Sequence, residues 1–180
     1  MRTELFDFHL PAELIAQHPV RPRDAARLLV VQRRSLLDRA MCDLPALLRP
    51  GDLLLLNDTR VLPVRLFGRR DAAAVEVTLI QPMGGGRWRA FAKPARRCRP
   101  GDSVEFAPGF AATVGARGED GEITLVFDEP DLAARLERYG SMPLPPYIRR
   151  PKGGDPRDLE DYQTLFARRD GAIAAPTAAL

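Results

Sequence analysis

Six short apolar runs between Val61 and Asp128 constrain the fold of this chain more than any other feature. The runs are VLPVRLFG, AVEVTLIQ, RWRAFAK, SVEFA, AATVGAR and EITLVFD, and turn-forming sequences such as MGGG, RPGD and RGEDG separate them. Short strands at a spacing of about ten residues are typical of an antiparallel barrel or sandwich. We therefore expect a small antiparallel barrel or sandwich over this part of the chain.

Strand and helix patterns alternate before this region. LPAELIAQHP predicts a helix that ends at Pro19, and ARLLVVQRR predicts a strand buried on both faces. DLPALL predicts a short helix with Asp43 as its cap, and RPGDLLLLNDTRV predicts a buried strand that ends at Asn57 and Asp58. This order indicates an α/β layer, so residues 1–60 are expected to be the first part of an α/β main domain.

Residues 141–180 are expected to return to that main domain. DEPDLAARLERYG predicts an amphipathic helix with Gly140 as its C-cap, and LEDYQTLFARR predicts another helix. Between them, Pro143, Leu144, Pro145 and Pro146 predict a short polyproline II rod without internal hydrogen bonds. Such a rod suits a docking peptide, a spacer or the wall of a binding site.

Basic residues are concentrated in one stretch, RWRAFAKPARRCRPGD, in a chain of net charge +3. A basic surface with interleaved aromatic rings suits nucleic acid, because it combines phosphate attraction with base stacking. The alternative is a solvated strand with Trp88 directed inward. The residues predicted to bind RNA are Arg87, Trp88, Arg89, Lys93, Arg96, Arg97 and Arg99.

Several classes of protein are disfavoured by what the sequence lacks. It has no apolar run of about eighteen residues and no signal peptide, which predicts no membrane association. Cys42 and Cys98 are isolated thiols, which favours the reducing cytoplasm. His9 and His18 are the only histidines and neither belongs to a metal-type cluster, so we expect no metal.

Two polar clusters are candidate sites. Arg23, Asp24 and Arg27 precede the first predicted strand, where they could form a surface ion-pair cluster or bind a polar ligand. Asn57, Asp58, Thr59 and Arg60 follow the second strand, at the end where open α/β sheets bind ligands; the alternative is a capped turn.

Four ordered stretches carry a resemblance to a known family. They are FDFHLPAELIAQHPVRPRDAARLLVV, LLRPGDLLLLNDTRVLPVRLFG, YGSMPLPPYIRR and DYQTLFARRDGAIAAPTAAL. Together they resemble the S-adenosylmethionine:tRNA ribosyltransferase-isomerase family of queuosine biosynthesis. The resemblance covers essentially the whole chain and is weakest over residues 69–128.

The resemblance implies a fold, a reaction and partners. Members transfer the ribosyl part of S-adenosylmethionine to 7-aminomethyl-7-deazaguanine at the tRNA wobble position and isomerise it, giving epoxyqueuosine-tRNA, adenine and methionine. The implied fold is an α/β main domain, residues 1–60 and 141–180, interrupted by an inserted small antiparallel β-barrel domain over residues 61–140. The rod would return the chain from barrel to main domain. S-adenosylmethionine is then the co-substrate, tRNA the partner, and a monomer in the cytoplasm the expected form.

The resemblance also predicts site residues and an incomplete domain. Asp58 or Asp24 would be the general base. The substrate-binding set would be Arg23, Arg27, Asn57, Thr59, Arg60, Tyr147, Tyr162, Gln163, Pro176 and Thr177. Ala179 stands where the family has glycine, and the chain ends at Leu180, before a family histidine. The resemblance therefore predicts an incomplete main domain and an inactive fragment; the alternative is a non-catalytic tRNA-binding β-barrel module.

Overall fold

A computed structural model describes residues 2–151 and 154–177. The departures noted at Ala179 and Leu180 lie outside the described residues. The chain divides into two compact units, one of residues 2–55 and 145–151, the other of residues 56–144 and 154–177. The predicted domain boundaries after residues 60 and 140 stay predictions.

The first unit contains one strand pair and one short helix. Strands β1 (Arg27–Val31) and β2 (Leu36–Ala40) are antiparallel, with Arg27 opposite Ala40. A 3₁₀ turn over Met41–Asp43 leads into helix α1 (Leu44–Leu47). The predicted short helix is confirmed, but the Asp43 carboxylate accepts a hydrogen bond from the backbone of Ala40, 3.0 Å away, and caps no helical N–H.

Three sequence-based expectations for this region are wrong. β1 alternates between exposed and half-buried residues and is not buried on both faces, because β2 is its only strand neighbour among the described residues. LPAELIAQHP forms only a 3₁₀ turn over Ala12–Leu14, since a helix confined between two prolines is too short to be stable. Leu53–Leu56 form no strand because no described segment pairs with them.

The Pro145 end of the proline-rich segment also belongs to this unit. The N–H of Ile148 donates to the carbonyl of Pro145 at 3.0 Å, which closes a turn. Gln17 holds the following residues: its amide nitrogen donates to the carbonyl of Tyr147 and its oxygen accepts from the N–H of Arg149. This turn begins at the end of the predicted rod, and the rod itself, over residues 143–146, stays a prediction.

The second unit is built on a closed six-stranded antiparallel barrel. After the short strand β3 (Thr59–Val61), the barrel runs through β4 (Arg65–Arg70), β5 (Ala73–Gly84), β6 (Arg87–Lys93), β7 (Ser103–Ala107), β8 (Phe110–Arg117) and β9 (Glu122–Val126). Its strand order is β4-β5-β6-β9-β8-β7. All six strands fall on the predicted runs, and the fold class is confirmed.

The barrel interior follows the two-residue period of its strands. On β5, Val75, Val77 and Leu79 are buried while the residues between them face outward. Glycine is required at position 68 on β4, because a side chain there would collide with the ring of Phe106. Closure is thin at one place: within the described residues, β4 and β7 share a single register pair, Arg69 opposite Glu105.

Helix α2 (Leu132–Tyr139) follows the barrel and packs on it. The Asp131 carboxylate accepts a hydrogen bond from the N–H of Ala134 at 3.1 Å and caps the start of the helix. At the other end, the N–H of Gly140 donates to the carbonyl of Leu136. A Cβ at Gly140 would overlap the Pro63 carbonyl, so glycine is required. Just beyond, the Leu144 N–H donates to the carbonyl of Met142 at 2.9 Å, which joins the predicted rod to the residue before it.

The last elements are helix α3 (Asp158–Asp161) and strand β10 (Arg169–Ala172), which pairs in parallel with β3. The predicted helix over LEDYQTLFARR is wrong beyond its first turn. The Gln163 side chain binds the backbone of Val61, and the Thr164 hydroxyl accepts from the N–H of Phe166, which competes with helical bonding.

None of the helices in the described residues combines the length and hydrophobicity that spanning a membrane requires.

Candidate functional site

The polar cluster before β3 is ordered by its own asparagine. The Asn57 side-chain oxygen accepts from the Thr59 N–H at 2.9 Å and from the Thr59 hydroxyl at 2.6 Å. Asparagine commonly closes such a turn on the residue two positions later. Asn57 and the Thr59 hydroxyl are therefore partly occupied with fixing the entry to the strand, as the capped-turn alternative expects.

Asp58 forms the central contact of the site. Its carboxylate receives two hydrogen bonds from the Arg169 guanidinium, at 3.0 Å from Nε and 2.9 Å from Nη2. Its backbone carbonyl also accepts from the N–H groups of Arg168 and Arg169, at 2.8 and 3.1 Å. Side chain and backbone of Asp58 thus both hold the start of β10, and this two-pronged geometry fixes the orientation of the guanidinium.

A second ion pair links the same two strands. Arg60 donates from Nε to the Asp170 carboxylate, and the strand register places these two residues opposite each other. The two pairs have opposite charge order: Asp58, directly before β3, is the acid of one pair, and Arg60 on β3 is the base of the other. Both pairs are solvent-accessible, so they order this edge more than they stabilise it.

The ion pairs set the ionisation of the two carboxyl groups. The hydrogen bonds from Arg169 hold the pKa of Asp58 below its usual value of 3.8, and Arg60 does the same for the pKa of Asp170. A carboxylate whose pKa is lowered and whose two oxygens both accept from a guanidinium is a weak proton acceptor. This geometry speaks against Asp58 as a general base and suits a residue that positions Arg169.

Gln163 and Tyr162 lie behind the strand pair. Gln163 accepts from the Val61 N–H and donates to the Val61 carbonyl, both at 2.8 Å. Its side-chain amide therefore forms the two hydrogen bonds that a neighbouring strand would form with Val61. Tyr162 is buried in a small cluster with Val61, Met142 and Ala175. The structure gives both residues a supporting place beside β3, and their predicted contacts with substrate stay predictions.

Pro176 and Thr177 follow β10 in the same unit. Ala175 is buried in the cluster around Tyr162, while Pro176 is half-buried and Thr177 is exposed. The predicted set from Asn57 to Arg60 and the predicted residues from Tyr162 to Thr177 therefore belong to one unit.

Four predicted residues belong to the first unit. Arg23 and Asp24 lie in a 3₁₀ turn over Arg23–Ala25, Asp24 is exposed, and Arg27 approaches Asp38 at 3.4 Å with both side chains exposed. Tyr147 is half-exposed, with its carbonyl held by Gln17. Gln17 was not predicted, since no sequence signal marks a lone glutamine as a clamp.

The basic stretch folds as β6 and the loop after it. Trp88 is half-buried and packs against the barrel core, which is the inward orientation of the alternative reading. Arg89 is engaged with Glu122 at 2.7 Å and with Gln81 at 3.1 Å. The other predicted RNA-binding side chains are exposed: Arg87, Lys93, Arg96, Arg97 and Arg99.

Arg169 and Asp170 were missed by the sequence analysis. Both stand in a quoted stretch, ARRDGA, yet nothing local reveals that β10 pairs in parallel with β3. The available signal was complementary charge: Asp-x-Arg in one segment and Arg-Asp in the other. Among the described residues, no group of three or more His, Cys, Asp or Glu side chains could hold a metal ion.

Comparison with known proteins covers the whole chain. The family model described as "Queuosine biosynthesis protein" matches residues 3–180. Proteins named S-adenosylmethionine:tRNA ribosyltransferase-isomerase from Rhodospirillum rubrum and Erythrobacter litoralis are 58% and 53% identical over 100% of this chain, which covers 52% of each relative. The chain thus spans about half the length of the curated relatives it matches.

A solved structure of an S-adenosylmethionine tRNA ribosyltransferase from Thermotoga maritima is 35% identical, with a TM-score of 0.40. The aligned region covers 79% of this chain and 51% of the Thermotoga maritima chain.

Proposed function

The chain belongs to the queuosine biosynthesis protein family, and on this premise we propose that it contributes half of an S-adenosylmethionine:tRNA ribosyltransferase-isomerase. The reaction transfers the ribosyl part of S-adenosylmethionine to 7-aminomethyl-7-deazaguanine at the tRNA wobble position and isomerises it. Epoxyqueuosine-tRNA forms while adenine and methionine leave. The observation that carries the proposal is 58% identity to a relative of that name over the entire chain.

The sulfonium of S-adenosylmethionine supplies the chemical driving force. It acidifies the neighbouring C5′ protons, so a positioned base can start the reaction without a metal. Asp24, exposed on its 3₁₀ turn, is the better candidate base, because Asp58 is held by Arg169. We assign Asp58 the role of orienting Arg169, whose side chain is 79% exposed and can receive an anionic group of the substrate.

The tRNA partner is proposed to contact the exposed cations of β6 and its following loop. Lys93 and Arg96 form no ion pair within the described part of the chain, so their charge is available to phosphates. Arg99 is exposed beside Asp102, which accepts a hydrogen bond from its backbone N–H at 2.7 Å. Each phosphate contact should lower the slope of log K against log salt concentration by about 0.7 to 0.9. Cytoplasmic location, a monomeric state and independence from metal remain part of the proposal.

A non-catalytic tRNA-binding module is the second candidate. The closed barrel has its own buried core, from Leu66 on β4 to Leu125 on β9, while the chain spans only half of its relatives. A protein with a folded barrel and an incomplete site would bind RNA without turnover.

Adenine release from labelled S-adenosylmethionine distinguishes the two. The 180-residue chain is compared with a fusion to the remaining half of the Rhodospirillum rubrum relative, each with and without tRNA carrying 7-aminomethyl-7-deazaguanine. We expect tRNA-dependent release by the fusion alone. Release by the short chain would place the whole site within these residues, and no release by a folded fusion would reject the enzymatic proposal and favour the module.

A further inference from the structure

Two phenylalanines stand on the outer surface of the barrel, away from its core. Phe67 on β4 is 49% exposed and Phe91 on β6 is 48% exposed. Both occur on strands whose neighbouring residues, Leu66 and Ala90, are buried inside, so the strand period directs both rings outward. Half-exposed rings on one sheet contribute nothing to the barrel core and are available to a partner.

The strand register places the two rings near each other across β5. Phe67 lies opposite Glu76, which lies opposite Lys93; two residues along, Thr78 lies opposite Phe91. With strands about 4.8 Å apart and a rise of about 3.4 Å per residue, the Cα atoms of Phe67 and Phe91 are separated by about 12 Å. This separation exceeds the rise of about 3.4 Å between stacked neighbours in a duplex strand.

Cations surround these rings. Arg69 follows Phe67 on the outer face of β4, Lys93 follows Phe91 on β6, and Arg97 reaches back to the carbonyl of Ala74 at 3.2 Å. Arg69 stands opposite Glu105 and Lys93 opposite Glu76 in the strand register, but within the described residues neither cation forms an ion pair.

The acids on this face are largely neutralised. Glu76 pairs with Arg65 at 2.8 Å, and Glu122 pairs with Arg89 at 2.7 Å. Glu105, which stands opposite Arg69, is the remaining acid beside the face. The Arg65 guanidinium also lies 5.2 Å from the centroid of the Phe67 ring, which supports that ring from one side.

We propose that this outer barrel face, defined by Phe67, Phe91, Arg69, Lys93 and Arg97, binds an unpaired segment of RNA. Two nucleobases stack on the two rings, and the cations hold the phosphates between and beside them. A base that stacks on a protein ring must first be unstacked from its neighbours, as bases in loops and single strands are, so the face selects loops or single strands. The inference rests on the proposed function in taking RNA as the partner, and it adds Phe67 and Arg69, which the sequence analysis had not singled out.

The test measures binding of a fluorescent RNA hairpin with an unpaired loop, and of a fully paired RNA duplex of equal length, to the 180-residue chain. Phe67→Ala and Phe91→Ala should each weaken loop binding about 5- to 100-fold, the fold-change of one lost base stack. Phe67→Tyr and Phe91→Tyr retain a stacking ring and should restore affinity. Phe166→Ala, which removes a part-exposed ring outside the barrel strands, is the matched control.

Charge is tested separately. Arg69→Gln and Lys93→Gln should each reduce the salt slope of loop binding by about 0.7. Circular dichroism melting of every variant shows whether the barrel is intact, and Phe67→Leu and Phe91→Leu replace any alanine variant that fails to fold, since they keep apolar area while removing the ring.

The outcomes separate this inference from the proposed function. Unchanged loop affinity in folded variants, equal losses for loop and duplex, or no RNA binding by the unaltered chain at low salt would each overturn it. If the fusion releases adenine while the phenylalanine variants bind RNA normally, the inference alone fails. If loop binding depends on both rings but a folded fusion releases no adenine, the enzymatic proposal fails and the RNA-binding face stands.

Discussion

Asp58 and Arg169 are 111 positions apart in the chain, yet they form a two-pronged ion pair that joins the start of β10 to the residue directly before β3. Around them, the backbone carbonyl of Asp58 takes the N–H groups of Arg168 and Arg169, and Arg60 pairs with Asp170. The polar groups of two distant family motifs are thereby ordered at one edge. Four predictions follow from this edge and from the barrel.

Asp58→Asn should lower adenine release by the fusion far more than it lowers stability. The substitution removes the charge that aligns Arg169, and misplacing a binding group by about 1 Å costs on the order of 100-fold in rate. The melting temperature should change little because both partners are solvent-accessible. Asp170→Asn is the matched control for charge removal at the same edge; equal losses in both variants would mean that the edge acts only as structure.

The carboxyl groups of Asp58 and Asp170 should titrate below 3.8 in the folded chain. Because folding lowers the pKa of both carboxyl groups, the ion pairs stabilise the β3–β10 edge when the pH is above 3.8. This contribution disappears as the pH falls through the lowered pKa values. Carboxyl carbon chemical shifts followed by NMR against pH measure the midpoints. Arg169→Gln should move the Asp58 midpoint upward and leave that of Asp170 in place; an unmoved Asp58 midpoint would contradict the pairing.

Leu66→Ala should destabilise the second unit by about 2–5 kcal/mol, the usual cost of removing a fully buried leucine side chain. Leu66 is 0% exposed inside the barrel, whereas Leu165 is 65% exposed. Leu165→Ala should therefore stay within about 0.5 kcal/mol of the unaltered chain. Urea unfolding followed by circular dichroism compares them, and similar midpoints for the two variants would rule out the packed interior described for the barrel.

Asp131→Ala should cost about 0.5–2 kcal/mol, since it removes the oxygen that caps the first turn of α2. Asp131→Asn and Asp131→Ser, which both keep a capping acceptor, should recover most of the loss. The same urea titration measures all three, and a fully stable alanine variant would show that α2 is held by its packing alone.

The barrel could be predicted from sequence because its information is local. Apolar residues at every second position, such as Val75, Val77 and Leu79, indicate a strand. Turn sequences such as MGGG and RGEDG indicate where strands end. The helix over Leu132–Tyr139 was predictable for the same reason, as its apolar period and its Gly140 terminus lie within a dozen residues.

The errors fall where distant parts of the chain decide the structure. Leu53–Leu56 have the composition of a buried strand but have no partner among the described residues, so hydrophobicity alone gave the wrong answer. Gln163 interrupts a plausible helix by binding the backbone of Val61, 102 positions earlier. The same limit applies to the candidate site. Asp58 was predicted as a site residue, but its partner Arg169 is brought to it by a parallel strand pairing that no local pattern encodes.

The sparse pairing between β4 and β7 makes this seam the place where the barrel should open most readily. In the described part of the chain, one register pair joins β4 to β7 and seven join β5 to β6, so local opening should begin at the β4–β7 seam. Amide protons of Phe67 and Phe106 would then exchange with deuterium earlier than those of Val77 and Ala90. Reversible opening of this seam would give the barrel an adjustable rather than a fixed circumference.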